Sequence, residues 1–397
     1  MLFTLFAFAA YILYNDSDFS DEAAVFFHLN YSGGWIPAGF AGSCFLLLCR
    51  MFSLSAVGWN GMLVLFQVLC IFETVLILLL ALILLIRIQE KKEPEAGRLT
   101  MLLFFFLIFE LTMFHNSDSF ASVFFCENIL LLLSLISLCF LHLRWLTIPW
   151  TVIGILTAPD YILQCFPAIF VVLLLLPAQD SAACGPRFAA RKKPYLAFLN
   201  LAAAIVTWIL SELSFQRLGD GGKALVQTAA RAAAVQVRPS AADPAVTETV
   251  RSYLTLFSFH MPTSGEAVRL LVTVLCFLPF FIAAGFFSHL LWKNQKRSAY
   301  LLLLPPILCL LSFFDGSFGA DCFFLCTGWI GSILLPAVLG AQEIKRSFFS
   351  FADSVTERFP AAPFFLLLWP MLFLPFSGSD TVCRTADAIA SLIGRIV

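Results

Sequence analysis

A cluster of carboxylates follows the apolar segment Met1–Tyr14, and it consists of Asp16, Asp18, Asp21 and Glu22. An ionised carboxylate at a membrane surface can accept a proton from a hydroxyl nucleophile or ligate a divalent cation. Charge is scarce elsewhere, because 60% of the residues are hydrophobic and only 12% are charged. The cluster is therefore the first candidate for a chemical site in this chain.

The residues that follow this cluster predict a helix that would position two of its acids. Ser20 is a suitable N-cap, and Asp21 and Glu22 would occupy the first turn before an apolar run that ends near Phe27. The helix dipole and the free N–H groups hold such carboxylates in the ionised form. Two interpretations stay open, a catalytic or metal-binding site and a helix cap that keeps the loop outside.

A second group of candidate residues lies further along the chain. His115 and Asp118 belong to a short polar loop, and we expect Asp118 to face the same cavity as the first acidic loop. Glu73, Glu110 and Glu127 lie within apolar segments, where a carboxylate is costly and faces a wet cavity or a partner helix. Hydrogen bonding to a neighbouring helix is the alternative role for each of these three glutamates.

A third candidate region is the long polar segment Glu212–Glu266. Its Ala-rich middle, KALVQTAARAAAVQVR, favours a helix by propensity. Several basic side chains in a segment beside acidic loops suit an anionic substrate such as a lipid phosphate, although a solvated loop of mixed charge is an equal alternative. The basic residues in and just after it are Arg217, Lys223, Arg231, Arg238, Arg251, His260 and Arg269.

The composition predicts an integral membrane protein with many spans. The 397 residues include 45 Phe, the mean hydropathy is +0.92, and apolar runs of bilayer length recur along the chain. A net charge of −1 excludes a nucleic-acid binder that depends on overall charge. Most of the twelve cysteines lie in or beside apolar runs without metal-type spacing, so we interpret them as packing residues.

Basic loops orient the predicted spans, because cytoplasmic loops collect Lys and Arg. The loop Arg87–Arg98 falls on the cytoplasmic side only if Pro37–Ala56 does not cross, so we expect that segment to lie in the interface or dip into the membrane. This leaves eleven predicted spans: Met1–Tyr14, Met62–Ile88, Leu99–Phe114, Ser122–Leu143, Ile148–Ala158, Ile162–Pro177, Pro194–Leu213, Ala267–Leu291, Tyr300–Phe314, Cys322–Ala341 and Pro363–Phe376.

The order of these features resembles the GT-C superfamily of membrane glycosyltransferases, closest to the branch of protein O-mannosyltransferases and aminoarabinose transferases. SDEAAVFFHLNYSGGW resembles that branch's Asp-Glu pair and the juxtamembrane helix after the first span. SDSFASVFFCENILLLLSL resembles its second acidic loop, GILTAPDYILQCFPAIF its short hairpin, and FHMPTSGEAVRLLVTVLCFLPFF its His-x-x-Pro stretch. The family's Lys-Pro-Pro segment and its hairpin Lys are absent here.

The resemblance implies an all-α, polytopic fold of GT-C type with a catalytic core at 1–291 and further spans and an interfacial tail helix at 292–397. It implies transfer of a sugar from a polyprenyl-phosphate donor to an acceptor outside a bacterial plasma membrane. Asp21 would be the general base, and Glu22 or Asp118 would orient it. The expected substrate-binding residues are His115, Arg251, His260 and Arg269.

Two other functions are open at this stage. The intramembrane glutamates suit a transporter or flippase for a lipid-linked glycan, although no internal repeat of the kind common in transporters is visible. The missing basic residues suit a non-catalytic relative in a glycan-assembly complex. The sequence indicates no definite cofactor, although a divalent cation could bind the carboxylates. The expected partners are a polyprenyl-phosphate-linked sugar and membrane lipid, and no nucleic-acid partner is expected.

Overall fold

A computed structural model describes residues 21–53, 141–157, 159, 161–164, 166–175, 195–236, 239–254 and 353–361, together with a few isolated positions. All regular structure in these ranges is helical, with no strand, so the predicted all-α class is confirmed for this part of the chain. Most of the eleven predicted spans, and the boundary near residue 291, lie outside it.

Between residues 21 and 254 the described ranges contain eight α-helices, and short 3-10 turns at Tyr31–Gly33, Leu141–Leu146 and Pro239–Ala242 connect or extend them; residues 353–358 are also helical. In chain order the helices are α1 (Asp21–His28), α2 (Gly39–Met51), α3 (Thr147–Thr157), α4 (Tyr161–Gln164), α5 (Phe166–Leu175), α6 (Tyr195–Leu218), α7 (Asp220–Gln236) and α8 (Pro244–Leu254).

The helix predicted after Ser20 is present as α1, and it lies at the centre of one apolar core. Its side chains Val25, Phe26 and Phe27 are almost completely buried, as is Leu29 just beyond its end. α2, α7, α8 and the turn at Pro239–Ala242 all pack against it. An isolated helix of eight residues is unstable in water, so this packing is what maintains α1.

Two small residues allow α2 to approach α1 closely. A Cβ built on Gly42 would lie 1.8 Å from the carbonyl oxygen of Leu29, and one on Gly39 would lie 2.6 Å from the Tyr31 ring. Gly39, Gly42, Phe45 and Cys49 form the buried stripe of α2. Thirteen residues span about 20 Å, which is shorter than a bilayer core of about 30 Å.

We predict that Gly42→Ala destabilises the fold by about 1–3 kcal/mol or more, because the new methyl group meets backbone rather than a flexible side chain. Gly221→Ala is the matched control. Nothing lies within 4 Å of the Cβ position at Gly221 in α7, and Ala is the better helix former by about 0.5–1 kcal/mol. Thermal unfolding of the purified protein measures both effects, and equal midpoints for the two variants would contradict the close contact.

A second apolar core is formed by α3, α4, α5 and α6. The chain turns at Pro159, as the predicted hairpin requires, and the ring of Tyr161 then packs on Gly154 of α3. α6 contacts both α3 and α5, and α3 also contacts α2, which links the two cores. α3 itself has eleven residues, about 16 Å, and the 3-10 turn Leu141–Leu146 runs directly into it. α3 covers all but the last residue of the predicted span Ile148–Ala158, and the crossing of the membrane by this span stays a prediction.

α6 is the one helix in the described ranges that is long and apolar enough to cross a membrane. It contains 24 residues, against the prediction of a span at Pro194–Leu213, and its most apolar window has a mean hydropathy of 1.8. At about 36 Å it exceeds the hydrocarbon core of a bilayer. The prediction of a long apolar helix here is confirmed.

The Ala-rich stretch predicted to be helical is confirmed as α7, which begins at Asp220 directly after the positive-φ residue Gly219. α8 then begins at Pro244. Asp243 precedes it, and its carboxylate accepts a hydrogen bond from the backbone N–H of Ala245 at 2.8 Å. Pro is favoured at the first position of a helix and Asp at the N-cap, so the sequence Asp-Pro explains this helix start.

Candidate functional site

The candidate site is built around the first turn of α1, where Asp21 lies. The hydroxyl of Ser240 donates a hydrogen bond to Oδ1 of Asp21 at 2.9 Å. Asp21 is partly exposed, and Ser240 is exposed on the turn between α7 and α8. The carboxylate is thus oriented by a side chain from a distant part of the chain.

The apolar residues of α1 fix the position of this carboxylate. Because Ala24, Val25 and Phe27 are buried against neighbouring helices, α1 has little freedom to rotate about its axis or to shift along it. Asp21 lies at the N-terminal end, where the helix dipole stabilises a negative charge. A carboxylate held in a fixed position is what a general base requires.

Arg251, one of the predicted phosphate-binding residues, lies on α8, and α8 packs directly against α1. Its guanidinium Nη1 is 3.4 Å from a carboxylate oxygen of Glu248 one turn earlier, and the Arg251 side chain is partly exposed. The structure therefore brings the helices of Asp21 and Arg251 into contact. The cation is already paired with an exposed acid, and such a surface pair is weak enough to rearrange for an anionic ligand.

Among the other predicted site residues, only Glu22 lies in the described part of the chain. Glu22 follows Asp21 in the first turn of α1. His115, Asp118, His260 and Arg269 lie outside the described residues. Their proposed convergence on Asp21 stays a prediction.

The turn after α1 is held by a set of short polar contacts. Asn30 Oδ1 accepts hydrogen bonds from the backbone N–H of Ser32, at 2.9 Å, and from the Ser32 hydroxyl. Asn30 Nδ2 donates to the carbonyl of His28 at 3.0 Å, and Nδ1 of His28 donates to the carbonyl of Ala24 at 2.7 Å. The contact with Asn30 occupies the His28 carbonyl, one of the backbone acceptors that the end of α1 leaves without a helical partner.

An aromatic pair occupies the same turn. The rings of Tyr31 and Trp35 stack with centroids 5.1 Å apart and planes at 15°, and the outer ring, Trp35, is 47% exposed. The backbone N–H of Tyr31 donates to Ser43 Oγ at 3.1 Å, and the Ser43 hydroxyl in turn donates to the Gly39 carbonyl at 2.6 Å. Ser43 therefore connects this turn to α2.

The hydroxyl of Tyr31 is buried and has no hydrogen-bond partner among the residues that the structure describes. Burial raises the pKa of Tyr31 to about 12, and the nearby Cys44 adds to the rise. Burial likewise raises the pKa of the Cys44 thiol. Both groups are therefore neutral at physiological pH, and neither is activated as a nucleophile.

Sequence reasoning missed Ser240 and the aromatic pair. Ser240 lies in a short Ala- and Pro-containing turn, and no local motif distinguishes it from an ordinary helix-connecting serine. Tyr31 and Trp35 lie near the end of the segment SDEAAVFFHLNYSGGW, and the sequence analysis assigned no role to either. A spacing of four residues around two glycines is compatible with stacking, but it does not specify it.

The described ranges contain no group of three His, Cys, Asp or Glu side chains arranged to hold a metal ion. Asp21 and its neighbour Ser240 together offer two oxygen ligands, and a divalent cation would need further ligands beyond these two.

Comparison with known proteins gave no relatives. No family model, no curated protein and no solved structure matches this chain. The resemblance to GT-C enzymes therefore rests on the residues quoted above.

We predict that the Tyr31→Phe variant loses less stability at alkaline pH than the wild type does. A tyrosine in the unfolded chain ionises near pH 10, whereas native Tyr31 keeps its proton to about pH 12. The stabilisation from its neutral burial is therefore complete below pH 10 and is lost as the pH rises toward 12. Unfolding midpoints at pH 8 and pH 11 should diverge between wild type and Tyr31→Phe.

Tyr195→Phe serves as the control, because Tyr195 is exposed at the start of α6. If the wild type and Tyr31→Phe lose stability in parallel between pH 8 and pH 11, ionisation of Tyr31 makes no contribution to alkaline unfolding.

Proposed function

We propose that this chain is a multi-pass membrane glycosyltransferase. It transfers a sugar from a polyprenyl-phosphate donor to a hydroxyl acceptor on the outer face of a bacterial plasma membrane. The proposal is supported by the order of acidic and basic segments in the sequence and by the apolar composition. α6, a helix of membrane-spanning length, supports the membrane location.

The observation that carries the proposal is the docking of α1, which carries Asp21, against α7 and α8 of the segment Glu212–Glu266, which carries Arg251. The two regions were predicted separately, one for proton transfer and the other for phosphate binding. This contact supports the proposal because transfer from a lipid phosphate needs a carboxylate and basic side chains on neighbouring elements.

The chemistry assigned to Asp21 is general base catalysis. Its carboxylate accepts the proton of the acceptor hydroxyl while that oxygen forms a bond to the anomeric carbon of the donor sugar. The bond between the anomeric carbon and the phosphate oxygen breaks, and polyprenyl phosphate leaves with the electron pair. The Ser240 hydroxyl holds Asp21 in position during this step through its hydrogen bond.

Arg251 is assigned to the leaving phosphate. Transfer leaves additional negative charge on the phosphate oxygens, and a guanidinium can bind two of them at once. Arg251 exchanges Glu248 for the phosphate at low cost, because that pair is exposed to solvent and its N–O distance of 3.4 Å is long.

We predict that Asp21→Asn lowers transfer by about 10²–10⁴-fold, since the amide has almost the same shape but accepts no proton. Folding should be retained, because the amide oxygen can still accept the hydrogen bond from Ser240. The measurement is turnover of a radiolabelled polyprenyl-phosphate sugar by the purified protein in lipid vesicles.

Asp220→Asn is the matched control. Asp220 also lies in the first turn of a helix, but it is fully exposed and pairs with Lys223 at 3.3 Å. Its loss should leave turnover unchanged. Wild-type turnover by Asp21→Asn would exclude Asp21 as the base.

We predict that Arg251→Gln raises the KM for the donor about tenfold or more, because an Arg–phosphate contact of about 1.5–3 kcal/mol is lost. Arg231→Gln is the control, since Arg231 is an exposed cation on the neighbouring helix α7. The kinetics are measured with varied donor in the same vesicle assay. An equal, small rise of KM in both variants would indicate general charge attraction rather than a phosphate site at Arg251.

A further inference from the structure

The long helix α6 has two faces of opposite character. Its exposed face carries large apolar side chains that recur every three or four residues along most of its length. This spacing places them on one side of the helix. They are Phe198, Leu199, Ile205, Val206, Ile209 and Leu210.

The buried face of α6 is instead formed by small and polar residues, namely Ala197, Asn200, Ala204 and Ser211. It contacts α3, whose buried residues are three threonines, a glycine and an isoleucine. Nδ2 of Asn200 donates a hydrogen bond to Oγ1 of Thr147 at 2.9 Å, and both residues are fully buried. A polar contact therefore lies inside this helix pair.

This arrangement is inverted relative to a helix on the surface of a water-soluble protein, where the large apolar side chains face the core. In a bilayer the apolar solvent is outside the protein. Helices then associate through small residues that permit close approach and through hydrogen bonds between polar side chains. The α3–α6 pair follows this second pattern.

The distribution of charge along α6 matches the thickness of a bilayer. Residues 194–211 carry no Asp, Glu, Lys or Arg, while Lys192 and Lys193 precede them and Glu212 follows. About 18–20 uncharged residues in a helix are what the hydrocarbon core requires. The apolar stripe from Phe198 to Leu210 lies entirely within this uncharged stretch.

We propose that the exposed apolar stripe of α6 contacts lipid acyl chains, and that the polar inner face of α6 holds the shorter helix α3 within the membrane. Lipid is assigned as the occupant because the stripe is continuous, uncharged and of bilayer length. α3 is shorter than α6, and it packs on the inner face of α6. This inference is independent of the proposed function and holds whether or not the chain transfers a sugar.

Photolabelling from the lipid phase tests this assignment without any change to the protein. The wild-type chain is reconstituted in phosphatidylcholine vesicles that contain a phospholipid with a diazirine at mid-chain. After illumination, adducts are assigned to single residues by mass spectrometry. We expect adducts at Ile205, Val206 and Ile209, and none above background at Ala197 and Ala204.

Two results would overturn the assignment. A stripe that stays unlabelled would mean that other protein segments cover it. A stripe that becomes labelled only when the protein is diluted in excess lipid would mean that another copy of the chain covers it. Equal labelling of Val206 and Ala204, whose relative exposures are 55% and 0%, would mean that α6 does not pack on α3 as described. If the stripe is labelled but the protein shows no transfer activity, the proposed function is contradicted and the assignment of lipid to the stripe stands.

Discussion

The described structure depends on the burial of the apolar side of α1. This helix has only eight residues and would be unstable alone, yet four other elements pack against it. Phe26 and Phe27 are almost completely buried, and each contributes about 1.5–3 kcal/mol by leaving water. The same burial fixes Asp21 at the open end of the helix. Stability and the candidate chemistry therefore depend on one set of contacts.

The two cores of the protein are packed according to different rules. Around α1 the interior is made of large apolar side chains, and Gly42 brings the backbone of α2 against its end. Between α3 and α6 the contact includes small and polar residues beside the apolar side chains of the second core, among them the buried pair Asn200 and Thr147. We interpret the first as a core that excludes water and the second as a helix contact that excludes lipid. α2, which touches both α1 and α3, connects the two environments.

Much of the local structure could be predicted from the sequence. The helix after Ser20, the turn at Pro159, the long apolar helix after Pro194 and the helix in the Ala-rich segment all occur where caps, periodicity and propensity indicated. These signals are local, because N-caps, proline and apolar periodicity act within a few residues. The candidate site was predicted less completely. Asp21 and Arg251 were identified as candidate residues from the sequence, whereas their partners Ser240 and Glu248 were not.

The sequence by itself determined that the chain is helical, rich in apolar segments and sparing with charge, because composition and short-range spacing decide these properties. Only the tertiary structure decided that Ser240 meets Asp21 across 219 residues, and that α1 lies among α2, α7 and α8. It also decided which side of α6 is buried, since both faces contain apolar residues. Contacts of this range depend on how whole helices pack, and single-residue preferences carry no information about them.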